Sequence, residues 1–198
     1  MPIVCGGCGE YVETKVNRDE RTRVCPECEF AEPIRMVPLF IVTGTSGAGK
    51  TTVAKHLRKA LPDCDVFDTD EMHAADWDQA RSNWLKVAFQ IGQSGRHTVL
   101  CGTQMPGDVE RCDHYRFFRE VHYLNLHCDD AAREARLRGR PAWRGTTDAF
   151  VEDHKNFARW LLDNGETAFD PPLVTVDTTD RTPEQAAGLI RDWVLARI

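Results

Sequence analysis

Downstream of residue 38, five apolar runs recur along the chain. The segments between them bring apolar residues back every three or four positions. Leu39-Phe40-Ile41-Val42-Thr43, Asp65-Val66-Phe67, Thr98–Cys101, Val121–His127 and Leu173–Val176 show little polar alternation, as strands buried on both faces do. Thr51 to about Ala60, Glu71 to about Ser94 with breaks, Asp130–Arg138, Phe150–Leu162 and Pro183–Ala196 carry the helical period. Strands that alternate with helices need right-handed crossovers, so the pattern predicts an α/β fold: a five-stranded parallel sheet flanked by helices. Ligands of such sheets bind at the carboxyl ends of the strands.

The first thirty-odd residues break the pattern. They are rich in charge and poor in large apolar side chains, so burial alone would not fold them. Pro33 and Pro38 flank the point where the composition changes. We therefore place a small module over residues 1–34 and the α/β domain over residues 35–198. Cys5-x-x-Cys8 and Cys25-x-x-Cys28, separated by 16 residues, have the spacing of a four-thiolate zinc ribbon. Four thiolates close a tetrahedral shell, so the zinc (Zn²⁺) is expected to be structural, with short strands at Tyr11–Lys15 and Thr22–Val24. Residues 1–35 hold seven acids against five bases, and thiolate ligation adds negative charge, so nucleic acid is not a favoured partner of the ribbon.

Composition narrows the class. A chain of 198 residues, 41% hydrophobic and 28% charged, can bury one full core. No apolar run nears the roughly 20 residues that span a bilayer, and the N-terminus lacks a basic-then-apolar leader pattern, so no membrane partner is expected. A formal charge of −6 gives no global attraction for polyanions. The other cysteines, Cys64, Cys101, Cys112 and Cys128, are scattered through apolar surroundings, which fits a reducing, cytoplasmic setting.

The sharpest chemical signal is Gly44-Thr45-Ser46-Gly47-Ala48-Gly49-Lys50-Thr51, a G-x-x-x-x-G-K-[ST] pattern between a predicted strand and a predicted helix. Glycines let the backbone wrap an anion with its N–H groups pointing inward, and the helix that follows adds a positive end. Gly44, Ser46, Gly47, Ala48, Gly49, Lys50, Thr51 and Thr52 are the expected nucleotide contacts. Lys50 would reach the terminal phosphates, and Thr51 would place its hydroxyl on magnesium (Mg²⁺). Asp68-Thr69-Asp70 ends the second strand and brings two carboxylates to the same cleft: one for the metal, one for the proton of an attacking hydroxyl. The third strand ends in Cys101-Gly102-Thr103 with no acid after it, so the metal carboxylate has to come from elsewhere, which strengthens Asp68 as the candidate.

With these motifs, the chain from about Leu39 to Ile198 resembles the P-loop small-molecule and nucleotide kinases, the group of shikimate, gluconate and adenylate kinases. Val66-Phe67-Asp68-Thr69-Asp70 is similar to the shikimate kinase pattern, which implies Asp68 near Mg²⁺ and Asp70 on the substrate hydroxyl. Gly102-Thr103-Gln104 departs from that family's run of glycines. The resemblance also implies a lid over the helix that carries Arg133, Arg136, Arg138 and Arg140 and over Pro141–Arg144, with Arg136, Arg140 and Arg144 closing on the phosphates. It implies that Asp177 lies in an adenine-contacting loop after the fifth strand.

The expected activity is transfer of the γ-phosphoryl group of ATP to a hydroxyl of a small molecule. Trp77, Trp84, His73, Arg81, His154 and Arg159 lie in segments able to wall the acceptor pocket, although Trp84, Phe157 and Trp160 also read as core. Between strands two and three, Arg81, Lys86 and Arg96 face a surplus of acid at Asp70, Glu71, Asp76 and Asp78, which suits a neutral or amino-bearing acceptor unless Arg111, Arg116 or Arg119 folds in. Three rivals remain open: a nucleoside or nucleotide kinase, a polynucleotide 5′-hydroxyl kinase, and a non-catalytic ATP-dependent binding module.

Overall fold

The computed structural model describes residues 2–198. Five strands, β6 (Leu39–Thr43), β7 (Cys64–Asp68), β8 (His97–Cys101), β9 (Val121–His127) and β10 (Val174–Asp177), form one sheet in the order β10-β9-β6-β8-β7, every neighbouring pair parallel. The expected α/β architecture is present. Successive residues of β6 serve opposite faces, as the strand period of two requires. Phe40 and Val42 pack with Leu57 and Ile190 under α1 (Lys50–Ala60) and α6 (Pro183–Leu195). Leu39 and Ile41 pack with Leu85 and Phe89 under α2 (Trp77–Gln93). A strand so placed has no solvent face, which is why its sequence does not alternate.

Helix limits follow their caps. The helical run foreseen from Glu71 starts instead at Trp77, where Asp76 accepts from the Gln79 N–H at 2.8 Å. Ahead of it lies a 3₁₀ turn, Thr69–Glu71, capped by Asp68. Two further helices, α4 (Asp130–Arg138) and α5 (Asp148–Asn164), begin at Asp129 and Thr147, whose side chains accept from Ala132 and Phe150. Thr182 and Gln185 close a reciprocal capping box on α6. The short α3 (Pro106–Glu110) had no signal in the sequence beyond its leading proline. Among the expected core aromatics, Trp84 is buried, but Trp160 lies at the surface, stacked at 6.2 Å on Phe157.

The N-terminal segment forms two small antiparallel sheets. One pairs β1 (Pro2–Val4) with β2 (Tyr11–Glu13); the other orders β3 (Lys15–Asn17), β4 (Thr22–Val24) and β5 (Ala31–Pro33). The strand foreseen over Tyr11–Lys15 is thus split at buried Thr14, where the chain passes from one sheet to the other.

This module sits at the amino ends of the parallel strands. Arg18 donates to the carbonyls of Arg116 and Arg119 at 2.9 and 3.1 Å, just ahead of β9, and Val16 packs against the core below α2. No helix among the described residues is long and apolar enough to cross a membrane.

Candidate active site and cysteine centre

The Gly44–Thr51 loop, the expected phosphate loop, runs from β6 into α1 at the carboxyl edge of the sheet. Gly44 has φ +134°, and a Cβ there would stand 2.4 Å from the Leu126 carbonyl oxygen, so only glycine fits. Gly49 occupies the N-cap of α1 in the left-handed region, with no side chain capping the helix and no acid in its first turn. The leading amides of α1 and its positive end therefore remain free for an anion. Thr51 and Thr52 are exposed at that end. Lys50 folds back over the loop, with Nζ donating to the carbonyls of Gly44 and Thr45 at 2.7 and 2.9 Å. Enclosure of this ammonium lowers its pKa to about 8, against the pull of Asp70 and Asp68.

Those two carboxylates sit on the next strand but one. Asp68 is buried at the end of β7, in register with Cys101 of β8, and accepts from the Asp70 N–H at 3.1 Å. The Asp70 carboxylate is exposed and has no hydrogen-bond partner among the described residues. Their turn is clamped: the Trp84 indole N–H donates to the Thr69 carbonyl at 3.1 Å, and Gly102 lies so close to Thr69 that a Cβ would overlap its hydroxyl. Both carboxylates act on the charge of Lys50, which places the acidic pair and the phosphate loop in one electrostatic neighbourhood.

The five arginines of α4 and the segment after it, Arg133 to Arg144, lie in different settings. Arg133 is fully buried beneath the loop, bonding the Thr45 hydroxyl and the Cys128 carbonyl. Arg136 spans from the Gly47 carbonyl at 3.4 Å to Thr178, bonding its hydroxyl at 3.0 Å and its carbonyl at 2.8 Å. Arg138 is tied at the surface to Glu134 and Asp148. The Arg140 side chain has no hydrogen bond or ion pair among the described residues; burial and the nearby Arg144 lower its pKa, with Asp70 opposing. Arg144 lies exposed over the Trp143 ring at 4.7 Å. Arg140 therefore stands near Asp70 with its donors unused, whereas Arg133 and Arg136 brace the loop and the turn after β10.

Residues with no motif of their own complete the edge. Thr178 is buried and donates to the Ala48 carbonyl at 3.1 Å, and Thr103 donates to the Gly44 carbonyl at 2.8 Å. Asp177 accepts from the Thr179 N–H and hydroxyl at 2.8 and 2.6 Å, which shapes the turn after β10. His154 on α5 has a buried Nδ1 with no hydrogen-bond partner among the described residues; burial, then Lys50, Arg140 and Arg133, lower its pKa. Arg159 instead pairs with Asn156 and Asp130 on the outer side of α5. A threonine beside a strand end is the only trace that Thr103 and Thr178 leave in the sequence.

At the other end of the molecule, all four cysteine sulfurs lie within 4.8 Å of one another, with Cys5–Cys28 at 3.7 Å and Cys8–Cys25 at 3.9 Å, and every cysteine is free. A tetrahedral metal about 2.3 Å from each thiolate sets sulfurs about 3.8 Å apart, so the cluster has the size of a metal centre. Two equivalent knuckles build it. The Gly9 N–H donates to the Cys5 carbonyl at 2.9 Å and the Glu29 N–H to the Cys25 carbonyl at 3.0 Å; Gly9 and Glu29 take the same left-handed turn, at φ +78° and +59°. Backbone N–H groups of Cys8 and Gly7 pull the Cys5 thiol down to about 7, whereas burial and the neighbouring sulfurs leave Cys8 and Cys28 shifted up.

No protein-family model matches the chain, and no curated protein matches it. Solved structures do. The chain is similar to a sugar kinase from a Janibacter species (18% identity over 82% of this chain and 95% of that one, TM-score 0.52). It is similar to a Chloroflexus aurantiacus protein provisionally described as a kinase (19%, 83% and 99%, TM-score 0.57). A third is the shikimate kinase of Acinetobacter baumannii, solved with shikimate (17%, 81% and 94%, TM-score 0.52). At such identities the likeness shows the fold, which is that of the P-loop kinases, with a four-cysteine cluster at the N-terminus.

Proposed function

We propose that the chain is a phosphotransferase that moves the γ-phosphoryl group of ATP to a hydroxyl of a small molecule. The observation that carries this reading is the juxtaposition of an uncapped, amide-lined loop and its lysine with the Asp68–Asp70 turn. On this reading the loop amides from Gly47 to Thr52 and the Lys50 ammonium hold the phosphates, and Lys50 leaves the carbonyls of Gly44 and Thr45 for them. Asp70 orients the acceptor hydroxyl and takes its proton. The hydroxyl oxygen bonds to the γ-phosphorus, the bond from phosphorus to the β–γ bridging oxygen breaks, and ADP leaves. Arg140, with its donors unused, and Arg144 close on the developing charge. Arg136 and Asp177 shape the base end of the site through Thr178 and Thr179. The Thr51 hydroxyl and the buried Asp68 carboxylate form a donor set for Mg²⁺, which when bound neutralises phosphate charge.

We assign zinc to the four cysteines and a structural part to residues 1–34, with the P-loop domain over 35–198. Among the rivals, polynucleotide phosphorylation loses support because the module rests on Arg116 and Arg119, at the amino ends of the strands and away from the cleft. Asp70→Asn tests the mechanism: kcat should fall about 10²- to 10⁴-fold while ATP affinity is kept. Turnover equal to that of the parent would remove Asp70 from the reaction.

A further inference from the structure

The side of the cleft that would receive the acceptor is made by the Thr69–Glu71 turn, α2 and Gly102-Thr103-Gln104. Gln104 is anchored through its backbone, which exchanges two hydrogen bonds with the Thr43 hydroxyl, at 2.9 and 3.1 Å. Its Oε1 accepts from Arg81 Nε at 2.7 Å. A guanidinium only donates, so this contact fixes the amide with oxygen toward Arg81 and leaves Nε2 as a donor without a partner among the described residues.

Arg81 has no charge to spare. It pairs with Asp78 at 2.6 Å and Asp108 at 3.4 Å, and its side chain is 10% exposed. The other arginines near this side are engaged as well, and Lys86 of α2 is exposed on the side toward His114. Arg58 bonds both oxygens of Glu71, at 2.9 and 3.0 Å; Arg96 pairs with Asp65 at 2.7 Å and Arg111 with Asp108 at 2.7 Å. Arg116 and Arg119 hold the N-terminal module through their carbonyls, and Arg116 reaches Glu13 at 3.7 Å. Among the described residues the Asp70 carboxylate thus faces no free arginine from its own side; an open cation near it, Arg140, comes from the segment after α4.

Resting on the phosphotransferase reading, we infer that the acceptor carries no anionic group. It is a neutral or amine-bearing polyhydroxyl compound, held between the Asp70 carboxylate and the Gln104 amide N–H, with Arg81 as the positioning residue that sets the amide. Asp70 accepts from the reacting hydroxyl, or from an ammonium beside it, and Gln104 Nε2 donates to a neighbouring oxygen. A carboxylate or phosphate on the acceptor would meet Asp70 with no unpaired arginine from α2 or the turn before it among the described residues.

Matched hexoses, hexosamines and hexonates, and the corresponding cyclitols, cyclitol amines and cyclitol acids, test this with the full chain. Turnover with MgATP and, in parallel, binding with a non-hydrolysable ATP analogue are measured. Neutral or amine-bearing members should exceed their acids by about tenfold or more in kcat/KM. Gln104→Glu should raise KM for the best neutral acceptor about tenfold while kcat and the KM for ATP stay within about threefold. Asp78→Asn with Asp108→Asn, which frees the Arg81 charge, should improve the acids relative to the neutral members, a change of preference that a purely structural role would not produce. An acid as the best ligand, no binding by any neutral or amine-bearing member, or an acceptor KM unmoved in Gln104→Glu overturns the inference. MgATP binding by the same samples is read separately: its absence defeats the phosphotransferase reading, whereas nucleotide binding with a preference for acids defeats only this one.

Discussion

Around the four cysteines, the apolar cluster consists of Cys5, Val12 and Cys25, whereas both faces of the parallel sheet are filled by aliphatic and aromatic side chains from five helices and strands. Full burial of each large apolar side chain stabilises the fold by about 1.5–3 kcal/mol, so the body stands on its own core and the module does not. The module instead brings four sulfurs together on two knuckles, at distances that suit a metal ion. The two regions also differ in what they leave unused. The body keeps free amides, a lysine and a carboxylate at one edge of the sheet; the module spends its polar groups on its own turns and on the far end of the body. One chain thus keeps its reactive groups on the part whose fold needs no ligand.

Metal removal should separate the two regions most sharply. Structural zinc contributes an apparent free energy of about 10–16 kcal/mol in small metal-dependent folds, so a chelator is expected to unfold residues 1–34 while the five-stranded sheet persists. Amide exchange with and without chelator reads this directly: loss of protection at Val12 and Val24 with Ile41 and Leu124 still protected. Protection that survives at Val12 would mean that contacts with the body, rather than the metal, hold the module.

Acid and alkali should act on different ends of the molecule. Thiolate ligation weakens as pH falls, because protons compete with the metal. At the phosphate loop the sign is opposite. The Lys50 ammonium, with a pKa of about 8, is charged below that value, and bound phosphates raise its pKa. The full affinity for nucleotide is therefore present below about pH 8 and falls as pH rises through the pKa of the complex, by at most about tenfold per unit, with proton uptake on binding. Calorimetry in buffers of different ionisation enthalpy measures that uptake; binding above pH 8 without it would show that Lys50 is not the group responsible.

What the sequence disclosed follows the same division. The strands of the body were legible because burial on both faces removes polar alternation, and the turn from Gly44 to Gly49 because its left-handed backbone and close approach to Leu126 demand glycine at fixed positions. The clustering of the four cysteines was legible because two C-x-x-C pairs form equivalent turns that bring their sulfurs together. Other features depend on partners distant in sequence and leave no local trace. Arg133 sits four residues into a helix rich in arginine, yet its bond to Thr45 crosses 88 positions, and Arg81 reaches Gln104 across 23. The break of the Tyr11–Lys15 strand at Thr14 was hidden for another reason: which sheet a short polar strand joins is decided by its neighbours, not by its own side chains.

The smallest expected effect concerns the seam between the two regions. Arg18 is exposed, yet both of its terminal nitrogens donate to carbonyls of the segment before β9, and a further contact across the seam, Arg116 to Glu13, is long at 3.7 Å. Hydrogen bonds from a charged donor at the surface contribute on the order of 1 kcal/mol together once solvent is counted. Arg18→Ala should therefore lower the stability of the docked module by about that amount. It should leave phosphoryl transfer within about twofold of the parent, because Lys50 and Asp70 lie at the opposite ends of the strands. Exchange at Val16 and Asn17 should quicken while that at Ile41 stays unchanged. A large fall in kcat on this substitution would mean that the module and the cleft are energetically coupled through the sheet, and the separation of support from chemistry argued above would not hold.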